Sequence, residues 1–351
     1  MKLPNFTTQQ VIKILKTMVK ALLEDPNRVL PAVMILGKPG IGKTSIVREI
    51  GKEFRMEVLT FLLSLRDPSD LFGSKIPEKI GDDWVTKLSV PQVISEATLA
   101  YKRTGNPVII LFDEFNHATP MVLKGLFQLL LERRMESFTL PPSLIILCGN
   151  RDYENLGWSM EEFPMAFWDR VLKLEMVFSL DEWIDWALRN GMDERIIGFV
   201  KWKPEIIFME TDGFVITPRT LERASNLLKV VREDIWILRT VLGDAGFSAF
   251  QTWLVVVAKI NFFDVLNNPF KIQRLSPQEV LAFTVSLASY LRNTDEKGFQ
   301  KCLVAFENLP EEYKVFILHS CPKFIEWIME KHPKEFRLII EQFGRLLRID
   351  I

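Results

Sequence analysis

Cysteine and histidine are scarce in this chain of 351 residues, with three of each. Cys148, Cys302 and Cys321 are odd in number and far apart, which excludes a closed disulfide framework. His319 stands two residues from Cys321, but that pair falls short of a zinc ligand set, and His117 and His332 lie elsewhere. A reducing, cytoplasmic setting is the expectation. An excess of either charge is also lacking. The 44 basic and 45 acidic residues leave a net charge of −1, so overall charge gives no push toward nucleic acid or an anionic membrane. Long apolar runs are missing too. The stretch Trp253 to Ala258 is far too short to span a bilayer, and the opening MKLPNFTTQQ has no apolar signal core. No membrane segment is therefore expected. Low-complexity linkers and internal repeats are absent. What remains is 48% hydrophobic and 25% charged, ample for sizeable cores, and the length suggests two or three domains.

Against that plain background one run stands out, GKPGIGKT from Gly37 to Thr44. It fits G-x-x-x-x-G-K-[ST], the phosphate-binding loop. Glycines let the backbone turn tightly and aim N–H groups at phosphate oxygens. Lys43 brings a positive charge to the outer phosphates, and Thr44 offers a hydroxyl to Mg²⁺. Such a match arises by chance in roughly 1% of chains this long. Its context is the required one. Ala32 to Leu36 is a short apolar run that reads as a buried strand, and Ser45 to Phe54 reads as a helix whose positive end faces the anion. The cradle comprises Gly37, Lys38, Pro39, Gly40, Ile41, Gly42, Lys43, Thr44 and Ser45.

The rest of the first half alternates. Residues 8 to 24 form an amphipathic helix that Thr8 can cap, with Val11, Leu15, Met18 and Leu22 as its apolar stripe. Apolar, β-rich runs recur at Val58 to Leu63, Val108 to Phe112, Leu144 to Leu147 and Val171 to Met176, with helices such as Met121 to Arg133 between most of them. This rhythm predicts an α/β fold with a mostly parallel sheet, whose ligands sit at the carboxyl ends of the strands. After Phe178 the pattern turns helical. Ser179 and Glu182 suggest a capping box for a helix ending at Gly191, and Thr217–Pro218 starts another through about Val231. Residues 246 to 266 read as a buried helix, and residues 277 to 347 as helices broken at Leu309–Pro310, Pro322 and Pro333. Aromatics there, such as Phe306, Tyr313, Phe316, Phe324 and Trp327, are expected in a core.

Four further signals bear on chemistry. In VIILFDEFNHA, Val108 to Ala118, an apolar strand delivers two adjacent carboxylates. Asp113 would hold the Mg²⁺ shell and Glu114 would orient or deprotonate a water. Alone, such a pair also fits a solvated strand end. In LIILCGN, Asn150 follows a strand and can both donate and accept hydrogen bonds near a terminal phosphate, although Gly-Asn is also a common turn. Arg170, after Asp169, could reach a neighbouring subunit's phosphate with its planar donor fork, or form a surface ion pair. Arg219, in ITPRT, places a cation in a first helical turn, where the dipole disfavours it and an outside anion would explain it.

In this order, these signals resemble the AAA+ ATPases and, within them, the MoxR-like branch. Gly37 to Thr44 matches Walker A, Asp113 and Glu114 match Walker B, Asn150 matches sensor 1, Arg170 the arginine finger and Arg219 sensor 2. LSLRDPSDLFG (Leu63 to Gly73) and SLDEWIDWA (Ser179 to Ala187) look like the same branch. The resemblance implies an AAA+ core with five strands in the order 5-1-4-3-2, a helical lid and a ring, usually hexameric. It implies domains at 1–178, 179–270 and 271–351, the first being the nucleotide-binding domain and the last a helical extension. It implies ATP and Mg²⁺, and hydrolysis coupled to remodelling or assembly of a protein client, with a von Willebrand A domain partner common in that branch. A nucleic-acid motor or loader on the same core is the alternative. Insertions near Phe72 to Val90 and Arg134 to Pro141 are candidate client-engaging loops. The mixed charges of the first, Lys75, Lys79 and Lys87 with Glu78, Asp82 and Asp83, leave protein and nucleic acid both open. Bulky Phe167–Trp168 precede Asp169, and Arg151, Arg133 and Arg134 are rivals of Arg170 as the trans-acting arginine.

Overall fold

The apolar runs pair as a parallel sheet. The structure, a computed structural model, describes residues 4–69, 73–135, 137–150, 171–211, 213–231 and 234–347, the side chains of 344–347 excepted. By contacts the chain divides into two compact units, residues 1–179 and 180–351.

In the first unit, β1 (Asn5–Phe6) leads into α1 (Thr8–Glu24). Thr7 rather than Thr8 caps this helix, in a reciprocal capping box with Gln10. Next come β2 (Ala32–Leu36), α2 (Lys43–Glu53), β3 (Val58–Leu62), the exposed hairpin β4 (Lys75–Ile80) and β5 (Asp83–Leu88), α3 (Gln92–Thr104) and β6 (Val108–Asp113). They are followed by α4 (Pro120–Glu132), the small hairpin β7 (Arg134–Met135) and β8 (Phe138–Thr139), β9 (Ser143–Gly149) and β10 (Val171–Met176). The sheet order is β1-β10-β2-β9-β6-β3, with every pairing parallel. Five of these strands take the expected order 5-1-4-3-2. The sixth, β1, is a correction to the expected count. It is two residues long and docks on β10, where Val177 N–H closes onto Phe6 O at 2.9 Å. So short a strand carries no periodic signal in the sequence.

The central strands β2 and β9 are buried along their whole length, as parallel strands covered on both faces must be. One apolar cluster joins Met34, Phe61, Val93, Ile110, Phe112 and Leu126 beneath α3 and α4.

Among the described residues the second unit is helical apart from the short hairpin β11 (Glu210–Thr211) and β12 (Phe214–Val215). α5 (Leu180–Arg189) ends at Gly191, whose φ of 63° is left-handed. α6 (Glu194–Trp202), α7 (Pro218–Val231), α8 (Arg239–Lys259) and α9 (Phe262–Asn267) follow. Then come α10 (Pro277–Arg292), α11 (Glu296–Glu307), α12 (Glu311–Ser320), α13 (Pro322–Lys331) and α14 (Pro333–Leu347). The expected proline breaks fall between these last helices. A further break, between α10 and α11, was not foreseen; there Asp295 caps α11 by accepting Gly298 N–H. Helices from before and after residue 270 pack on one another, α6 and α8 against α10. Phe306, Tyr313, Phe316, Phe324 and Trp327 are all core.

One segment, Ile235–Lys259, has the length and composition to cross a membrane. Gly243 interrupts it with φ 69° and ψ 175°. Residues 244–259 alone are roughly 24 Å long at 1.5 Å per residue, short of the ~30 Å of a bilayer core. Phe247, Phe250 and Trp253 on this piece are buried in the unit.

Trp253 also generates a test. Its indole N–H donates to Arg195 O at 3.0 Å. A Cβ added at Gly198 would stand 2.7 Å from Trp253 Cζ2 and 2.6 Å from Val285 Cγ2. Alanine at a helical glycine normally gains about 1 kcal/mol. Here both neighbours are fully packed, and overpacking costs about 1–3 kcal/mol. Gly198→Ala should therefore lower stability in urea denaturation rather than raise it.

Candidate nucleotide-binding site

The candidate site forms where β2, β6 and β9 end. β2 delivers the chain into the glycine loop. Gly40 and Gly42 have φ of 75° and 98°, left-handed values that other L-residues rarely adopt. Gly37 is required for a different reason. A Cβ there would lie 2.5 Å from the Met176 carbonyl oxygen and 2.6 Å from Ile41 Cδ1. The loop feeds directly into α2, whose first intrahelical bond runs from Ile46 N–H to Gly42 O at 3.0 Å. N–H groups in the turn before that bond have no carbonyl one turn back. They and the helix dipole make this end anion-seeking.

Lys43 is 8% exposed. Its Nζ donates to Gly37 O at 2.9 Å, Lys38 O at 2.9 Å and Asn150 Oδ1 at 3.0 Å. One lysine therefore links the loop to the tip of β9. Thr44 makes the second link, with Oγ1 donating to Asp113 Oδ2 at 2.6 Å. The other Asp113 oxygen accepts Glu114 N–H at 2.9 Å. Glu114 is exposed and left-handed, with φ 54°. A non-glycine residue held there is a feature that clusters at functional sites. Ser64, in the turn after β3, donates its hydroxyl to Glu114 Oε2 at 2.5 Å. Behind them Cys148 is fully buried. Burial pushes its thiol well above the ordinary range, with Asp113 reinforcing the shift and Lys43 opposing it.

Lys43, Thr44, Asp113, Glu114 and Asn150 are thus brought together at one sheet edge. Among the described residues no group of three or more His, Cys, Asp or Glu could hold a metal. The residues present nonetheless fit a magnesium nucleotide. Mg²⁺ takes one or two protein oxygens and fills its shell with phosphate and water. A hydroxyl and a carboxylate oxygen already 2.6 Å apart beside an anion cradle supply that set.

Arg219 lies in the second unit, exposed on the first turn of α7. Arg170 and Arg151 fall outside the described residues. Arg133 turns inward: its guanidinium donates to Leu30 O, one terminal nitrogen is buried without a hydrogen-bond partner among the described residues, and burial lowers its pKa to about 10. That placement disfavours it as an arginine offered to a neighbour. Arg134 is exposed and pairs with Glu132 at 3.0 Å. Ser64 and Asn116 were not foreseen as site residues. Each is a polar residue just past the end of an apolar strand, and that was their only signal.

Residues 32–140 match the family model described as the AAA domain of the dynein-related subfamily. Among curated proteins, the chain is 26% identical over 187 residues to the chaperone protein ClpB of Mycoplasmoides gallisepticum, covering 50% of this chain and 24% of that protein. The chain thus spans about a quarter of that relative's length. Among solved structures, a RuvB mutant of Thermotoga maritima aligns with 80% of this chain and 83% of its own, at 15% identity and a TM-score of 0.38. A likeness that distant says nothing about function.

Gly37→Ala tests the cradle. The added methyl meets the Met176 carbonyl, which is backbone and cannot swing away, as well as the tip of Ile41. A loss of about 1–3 kcal/mol of stability is expected from overpacking, read by thermal unfolding, whereas an unchanged midpoint would contradict the packing described.

Proposed function

We propose that this chain is a magnesium-dependent ATPase of the AAA+ type. In this reading ATP binding and hydrolysis in a ring, usually hexameric, drive remodelling or assembly of a protein client. The observation that carries the reading is the 2.6 Å contact between Thr44 and Asp113, which joins the glycine loop to the acidic strand end at the point where a nucleotide's metal would sit. The AAA-domain match over residues 32–140 spans both elements.

The chemistry follows from the side chains. Bound magnesium would supply charge neutralisation on the phosphate oxygens. Gly40, Gly42 and the first turn of α2 hold the phosphates, and Lys43 brings its charge to the outer ones. Glu114 accepts a proton from the attacking water as oxygen bonds to the terminal phosphorus and ADP leaves. Asn150 fixes Lys43 and the water. Arg219 senses the phosphate from the helical unit. Arg170 of a neighbouring copy is the proposed trans-acting arginine, a role that can be worth several kcal/mol. The MoxR-like branch, with its von Willebrand A domain partners, is the finer assignment, and a cytoplasmic location goes with it. Residues 179–270 would form the lid, and residues 271–351 would extend it.

The hairpin β4–β5 is the proposed client contact. A lone two-stranded hairpin is marginal in water, yet Ile76, Ile80 and Trp84 are exposed on this one. Its register sorts the charges that the sequence left mixed. Lys75, Lys79 and Trp84 share one face; Glu78, Asp83 and Lys87 share the other, with Glu78 and Lys87 paired at 2.6 Å. The basic, aromatic face is the observation that keeps a nucleic-acid client as the second reading.

Glu114→Gln tests the assignment. ATP binding should persist while turnover falls to background in a phosphate-release assay. Wild-type turnover would reject the role given to Glu114. Stimulation by single-stranded nucleic acid with a steep salt dependence would favour the second reading.

A further inference from the structure

Asn150 sits just beyond the reach of the sheet that should hold it. The β6–β9 ladder ends at Phe112↔Leu147, and the β2–β9 ladder ends at Leu36↔Gly149. Asn150 therefore gains no place from strand pairing, yet its side-chain carbonyl accepts Lys43 Nζ at 3.0 Å. Its backbone N–H finds a partner on a different element. Asn116, in the turn after β6, accepts that N–H on Oδ1 at 3.0 Å. Two observations show that this contact is built in. Gly149 leaves room for it: a Cβ there would stand 2.9 Å from Asn116 Oδ1 and 2.5 Å from the Phe115 ring. Among the described residues, Asn116 Nδ2 has no hydrogen-bond partner, although it is buried. A buried orphan donor is costly. Turning the amide over would aim Nδ2 at the Asn150 N–H, donor against donor, so the acceptor orientation is the one retained.

We infer that Asn116 is a positioning residue that sets Asn150, and through it Lys43, against the nucleotide. It reaches the reacting atoms only through Asn150. The inference rests on the ATPase reading above. It adds a tie between the turn that carries Glu114 and the strand tip that carries Asn150, so that the two move together.

The test compares MgATP turnover and equilibrium MgATP binding in the full chain for wild type, Asn116→Ala, Asn116→Asp, Asn150→Ala and the double alanine variant. Asn116→Ala should lower kcat roughly tenfold, about what one lost hydrogen bond can cost, while binding changes less than about threefold. Asn116→Asp should recover most of the loss, because a carboxylate oxygen accepts the same N–H. The double variant should be no worse than Asn150→Ala alone, since both lesions act on one element. Losses that multiply in the double variant, or an unchanged kcat in Asn116→Ala, would overturn the inference. So would a lowered melting temperature with no recovery by Asn116→Asp, which marks a merely structural role. A wild type that neither binds nor hydrolyses ATP would instead overturn the ATPase reading, and this inference with it.

Discussion

The site depends on three strand ends meeting at one edge of a parallel sheet. β2 stops where the glycine loop begins, β6 stops at Asp113 and β9 stops at Gly149. Because all pairings are parallel, these ends face the same way, and the register Leu36↔Gly149 sets the lysine loop beside the β9 tip. Two side-chain bonds then close the constellation, Thr44 to Asp113 and Lys43 to Asn150. A slip of one residue in any of these pairings would turn every side chain of that strand to the opposite face. The continuous apolar runs of β2 and β9 fit strands covered on both sides, and that cover fixes their placement.

The second unit is held differently. Its core is aromatic, with Phe199, Phe250 and Trp253 near the α6–α8 contact and Phe299, Phe306, Phe324 and Trp327 in the C-terminal helices. One polar network crosses it. Arg292 donates to Glu194 at 2.6 Å and to Ser320 O at 3.0 Å, joining α6, α10 and α12. Glu194 is largely buried, so losing Arg292 would leave its carboxylate uncompensated.

Much of this was legible in the sequence because it is local. The glycine loop, the apolar strand before it and the acid pair after Phe112 are written in contiguous residues. So were the limits of β2 and β10, which match the apolar runs residue for residue. What escaped reading was non-local or short. β1 has two residues, and only its docking on β10 makes it a strand. The roles of Ser64 and Asn116 come from the tertiary approach of the turns after β3 and β6 to the site. The hairpin's charges looked mixed until register placed Lys75 and Lys79 with Trp84 on one face. Arg133 read as an available cation, and only burial showed it turned inward to Leu30.

Calorimetric titration of the purified chain with ATP, with and without magnesium, tests the central claim most directly. Saturable binding of one nucleotide per chain, strengthened by magnesium and lost in Lys43→Ala at unchanged melting temperature, is the result this account requires. Absence of adenine-nucleotide binding in the folded wild-type chain, or undiminished binding in Lys43→Ala, would contradict it.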